Sequence, residues 1–96
     1  MDSTTESRHS WYVYIVQCRD NTLYTGITTD LERRLREHNS SRLGARYTRP
    51  RRPVKLAYYE KAESRSSAAS REYRIKQLKP ANKKQLIAEF NAKNSP

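Results

Sequence analysis

Leu23-Tyr24-Thr25-Gly26-Ile27, followed by Thr28-Thr29-Asp30 and then Leu31 to Asn39, is the stretch that decides the fold. Leu23–Ile27 reads as a short β-strand. Gly26 removes a side chain where something must approach the backbone closely. Thr29-x-x-Glu32 has the form of a capping box, which starts a helix there. Leu31 and Leu35 form the buried stripe of that helix, and Arg34 and His38, one turn apart, share a face. The strand and this face are expected to bring a tyrosine, an arginine and a histidine together beside bare backbone. Such a cluster can hold a phosphate and the water that attacks it.

Upstream, Trp11–Cys18 is almost continuously apolar and rich in β-formers, as expected of a central strand covered on both faces. Alternation puts Tyr12, Tyr14 and Val16 on one face and Trp11, Val13 and Ile15 on the other. Arg19-Asp20-Asn21 is turn chemistry, so the Tyr24 strand returns antiparallel to the first. Tyr14 and Tyr24 then share a face if the register allows it. Residues 1–10 are polar and charged and read as a disordered tail.

Downstream, Ser40–Pro53 is a loop carrying Arg42, Arg46, Arg49, Arg51 and Arg52, with Tyr47 among them. Arginines interleaved with an aromatic suit phosphate contact plus stacking on a base or sugar, so all six are candidate nucleic-acid-binding residues. Val54–Glu60 reads as a third strand, with Val54, Leu56 and Tyr58 on one face. Ser64 caps a helix running to about Leu78, on which Ala68, Glu72 and Ile75 lie close together. A carboxylate amid an apolar stripe needs a partner, either an arginine or a metal ion. Pro80 suits the first turn of a last helix with Leu86, Ile87 and Phe90 on its apolar edge, and 91–96 reads as a second tail.

The chain has 96 residues and a formal net charge of +10. Residues 1–30 hold two basic and four acidic side chains, whereas residues 31–96 hold eighteen and six. A basic field concentrated in one region favours nucleic acid or another polyanion. Cys18 is the only cysteine, which excludes an internal disulfide and fits a reduced core residue. No cysteine or histidine cluster has the spacing of a structural zinc site. No apolar stretch is long enough to span a bilayer, and the first ten residues lack the apolar centre of a signal peptide. The expected location is the cytoplasm, with association with the nucleoid left open, and no membrane partner is expected.

These motifs in this order resemble the GIY-YIG nuclease superfamily, and in particular its small standalone bacterial members. The first signature is Tyr12-Val13-Tyr14, in which only the final tyrosine is kept, and the second is Tyr24-Thr25-Gly26. Arg34, His38 and a late helical Glu72 complete the pattern. The resemblance spans roughly Trp11 to Ile87. It implies an α+β domain over residues 11–90, with a small three-stranded antiparallel sheet flanked by helices in the order β-β-α-β-α-α. It also implies a phosphodiesterase of endonuclease type acting on DNA with Mg²⁺ or Mn²⁺, with Glu72 as metal ligand and Tyr14, Tyr24, Arg34 and His38 in the catalytic set. Two alternatives stand beside it. One is a non-catalytic nucleic-acid-binding module on the same fold, and the other is a subunit that needs a protein partner for activity.

Overall fold

The computed structural model describes residues 10–94. The elements are β1 (Trp11–Gln17), β2 (Leu23–Thr28), α1 (Leu31–Ser40), β3 (Lys55–Ala62), α2 (Arg65–Gln77) and α3 (Pro80–Asn94), with a 3₁₀ turn at Arg49–Arg51. The sheet order is β2-β1-β3 and both pairings are antiparallel. The most apolar strand is therefore the central one. Val13 and Ile15, fully buried, join Tyr58, Ala68 and Ile75 in one core, which Leu86, Ile87 and Phe90 cover from α3. Tyr14, Val16, Cys18 and Val54 form a second core on the opposite face, against Tyr24, Leu31 and Leu35. Two small cores on one sheet suit a chain with little apolar material to bury.

The turn between β1 and β2 is local chemistry. Asp20 Oδ1 accepts from the Thr22 amide at 3.2 Å and from its hydroxyl at 2.6 Å, and Asn21 takes a left-handed φ of 69°. The resulting register sets Tyr14 opposite Gly26 and Val16 opposite Tyr24, which puts both tyrosines on the α1 face.

Three expectations are corrected. The α1 cap is Asp30, one residue after Thr29: its Oδ1 accepts from the Arg33 amide at 3.0 Å. Thr28 Oγ1 receives the Asp30 amide at 3.1 Å, so the capping chain runs one residue out of phase with the box. In β3, Val54 and Leu56 do not share a face with Tyr58. Ile15 opposes Tyr58 and Val16 opposes Leu56, so Ala57 is the extra residue of a bulge that sends Tyr58 to the other core. The last helix continues to Asn94, so residues 91–94 of the expected C-terminal tail are helical. Residues 1–9 and 95–96 lie outside the described residues. Among the described residues no helix is long and apolar enough to cross a membrane.

Candidate active site

Gly26 is bare because Tyr14 lies across it. A Cβ placed there would stand 2.5 Å from the Tyr14 hydroxyl and 2.7 Å from its Cζ. The register that pairs Tyr14 with Gly26 thus brings the two signature motifs into direct contact. Tyr14 is 2% exposed, and its hydroxyl is 2.8 Å from His38 Nε2. Burial pushes the Tyr14 pKa up to about 12, although the Arg34 guanidinium beside it pulls the other way. At neutral pH the group is a phenol.

His38 is fully buried, and its Nδ1 lies 3.0 Å from Thr48 Oγ1. Burial lowers its pKa to about 4, and the nearby Arg34 charge adds to the effect. At neutral pH the ring is uncharged, so it brings no positive charge to Tyr14. It is also sealed from solvent, with Nε2 in contact with the Tyr14 hydroxyl. Tyr24 is partly exposed and meets the His38 ring edge-on, with centroids 5.5 Å apart.

Arg34 is held from two directions. Its Nη1 donates to Glu37 Oε1 at 2.8 Å and to the Leu43 carbonyl at 2.7 Å. Glu37 is shared: Arg33 Nε is 3.7 Å away on its other oxygen. Glu72 is therefore not the only carboxylate in this region. Glu72 lies on α2 with its side chain 22% exposed, 3.3 Å from Lys76 Nζ. Its charge reaches Tyr14 as a small push upward on that pKa. Among the described residues there is no group of three or more histidine, cysteine, aspartate or glutamate side chains able to hold a metal.

The arginine loop divides in two. Arg52 is turned inward: its guanidinium donates to the carbonyls of His38, Glu37 and Ser41, capping the C-terminus of α1. Arg51 binds Asp20 Oδ2 at 3.1 Å and the Tyr47 carbonyl at 2.8 Å, and its Cζ stands 3.9 Å over the Tyr47 ring. Tyr47 also stacks on Tyr24, with centroids 6.1 Å apart and planes 18° apart. Arg51 and Arg52 are bound within the chain, while Arg42, Arg46, Tyr47 and Arg49 are exposed. Sequence reasoning missed Thr48 and Gly44. A Cβ on Gly44 would be 2.6 Å from the Glu37 carbonyl and 2.9 Å from His38 Cα. A glycine inside an arginine-rich loop was the available signal of that close approach.

Residues 10–85 match the GIY-YIG catalytic domain. A UPF0213 protein of Desulfotalea psychrophila is 62% identical over 80 residues, which is 83% of this chain and 73% of that protein. One of Haloquadratum walsbyi is 53% identical over 85 residues, 88% of this chain and 94% of that protein. Two solution NMR structures are similar as well. The UPF0213 protein from Bacillus halodurans gives a TM-score of 0.53 at 42% identity, covering 82% of this chain and 83% of that one. A protein from E. faecalis gives 0.60 at 44% identity, covering 91% and 92%. The chain therefore belongs to the GIY-YIG catalytic-domain family, whose domain is a nuclease fold.

Proposed function

We propose that this protein is a divalent-metal-dependent phosphodiesterase that cleaves DNA internally. The observation that carries the proposal is the cluster of Tyr14, Tyr24, His38 and Arg34 built around the bare backbone of Gly26. Binding alone does not require a buried tyrosine–histidine pair beside a pinned arginine.

Arg34 presents a planar fork that suits the non-bridging oxygens of a phosphodiester. Glu37 and Leu43 hold it in place, so less freedom is lost when it meets phosphate. Tyr14 and Tyr24 position the attacking water and exchange a proton with it. Tyr24 is the more accessible of the two. Arg42, Arg46 and Arg49 supply phosphate contacts along the backbone of the nucleic acid.

Glu72 fits a hard cation that keeps several waters and takes its remaining ligands from substrate phosphate, as Mg²⁺ does. Glu72 would hold it after releasing Lys76. Bound there, Mg²⁺ or Mn²⁺ supplies positive charge to offset the charge that develops on the phosphate.

The pairing of Glu72 with Lys76, and the lack of a group of three or more such side chains among the described residues, also favour a second reading, a binding module that retains the fold without the chemistry. One experiment separates the two. The purified chain is incubated with duplex, branched and single-stranded DNA and with RNA, in Mg²⁺, Mn²⁺ or EDTA, beside Glu72→Gln. Metal-dependent cleavage that disappears in Glu72→Gln supports the enzyme. Cleavage at the wild-type rate in that variant removes Glu72 from the mechanism, and tight binding without any cleavage leaves the binding module.

A further inference from the structure

We infer that Asp20, in the turn between β1 and β2, positions the Tyr24 ring from two directions: along the strand through Thr22, and across the loop through Arg51 and Tyr47. The consequence for cleavage rests on the nuclease reading, whereas the coupling of Asp20 to Tyr24 rests on the contacts between them.

Among the described residues no hydrogen bond holds the Tyr24 hydroxyl, so its place is set by what touches the ring. His38, fully buried, meets the ring edge-on, and Tyr47 lies nearly parallel to it. A residue of the arginine loop thus sets one boundary of a strand residue in the candidate site. Tyr47 is itself held. The Arg51 guanidinium stands 3.9 Å from the Tyr47 ring centroid, where the negative face of the ring attracts a cation, and it donates to the Tyr47 carbonyl at 2.8 Å.

Arg51 is anchored in turn by Asp20, whose Oδ2 accepts from Nε at 3.1 Å. A turn aspartate needs one oxygen for its own turn, and Asp20 Oδ1 already serves the Thr22 amide and hydroxyl. The second oxygen is committed to a residue 31 positions away. The Arg19 amide donates to the Arg51 carbonyl at 2.9 Å, a further tie between the same two segments. Thr22 immediately precedes β2, the strand that carries Tyr24. One carboxylate therefore fixes both the entry to the strand beneath Tyr24 and the ring stacked on it. Position matters to the proposed chemistry, because a misplacement of about 1 Å can cost on the order of 10²-fold in rate.

The first test is aromatic ¹H–¹³C NMR of the labelled full chain with neither nucleic acid nor metal added. Asp20→Asn keeps an oxygen for the two Thr22 donors but turns an NH₂ toward Arg51, so it opens the loop arm and leaves the turn. The Tyr47 and Tyr24 ring signals should then both move. A Tyr24 ring that keeps its wild-type signals overturns the inference, and one that moves while Tyr47 stays in place overturns the loop arm. The second test is cleavage. Asp20→Asn and Tyr47→Leu should each lower kcat by about tenfold or more and leave KM within about twofold. Tyr47→Phe, which keeps the ring, should recover the Tyr47→Leu loss; failure of that rescue overturns the stacking role. In a Tyr24→Phe background Tyr47→Leu should cost no further rate, and an undiminished loss there overturns action through Tyr24. A raised KM with unchanged kcat makes Tyr47 a nucleic-acid contact and overturns the positioning role. Asp20→Asn carries the comparison if Tyr47→Leu fails to fold. A wild-type chain that cleaves nothing defeats the nuclease reading, and the ring signals still decide the coupling.

Discussion

Replacing Gly26 with alanine tests whether the two signature motifs meet as described. The added Cβ would sit 2.5 Å from the Tyr14 oxygen and 2.7 Å from Cζ, inside any tolerable carbon contact. Tyr14 cannot swing away freely, because it is 2% exposed and bonded to His38. Overpacking of this kind costs about 1–3 kcal/mol. If Tyr14 moves, His38 loses the partner on Nε2 inside the protein, which costs about another 1–3 kcal/mol. Alanine's lower chain entropy offsets roughly 0.5–1 kcal/mol. The net expectation is a loss of about 1–5 kcal/mol. With a urea m-value of about 1 kcal/mol/M, the unfolding midpoint falls by about 1 M or more. Urea titration followed by circular dichroism reads this directly. A midpoint within about 0.5 M of wild type, at unchanged m, would refute the claim that Tyr14 occupies the space above Gly26. Adding Tyr14→Phe should not restore stability, because Cζ remains in the way.

Other expectations concern charge and chemistry. Folded His38 titrates near pH 4 against about 6.5 when unfolded, so the unfolded chain binds the extra proton first. Stability from this group is complete above pH 6.5 and falls by about 3 kcal/mol as the pH drops to 4; an NMR titration of His38 near 6.5 would contradict this. Replacing the exposed Arg42, Arg46 and Arg49 with alanine should weaken DNA binding about equally across sequences and flatten its salt dependence by roughly 0.9 in slope per lost duplex contact. Arg34→Ala should instead lower turnover more than affinity; unchanged single-turnover cleavage would reduce Arg34 to a phosphate anchor. Tyr14→Phe and Tyr24→Phe should both bind DNA, with at least one cutting on the order of 10²-fold more slowly. Rates within about threefold of wild type for both would exclude a proton-transfer role for either hydroxyl.

The sequence by itself determined the element order and the central strand, and it singled out Tyr14, Tyr24, Arg34 and His38, which the fold brings near one another. The alternation in Trp11–Cys18 assigned Tyr14 and Val16 to one core and Val13 and Ile15 to the other, because side chains on a strand must alternate. Gly26 announced a close approach, and helical spacing put Arg34 and His38 on one face. Only the tertiary structure decided what approaches Gly26, since that depends on the hairpin register. The bulge at Ala57 sent Tyr58 to the opposite core, and no local pattern in β3 marks that extra residue. The arginine loop shows the same limit most clearly. Arg51 and Arg52 are indistinguishable from Arg42, Arg46 and Arg49 as a run of charge. Folding brings Asp20 and the end of α1 against the first two and leaves the others exposed. The state of His38 also lies beyond sequence, because its charge is set by burial, and its ring partners Tyr14, Ala45 and Thr48 come from other parts of the chain. Periodicity and turn chemistry act over a few residues and can be read in order; desolvation and hydrogen-bond choice depend on which distant groups the fold brings together.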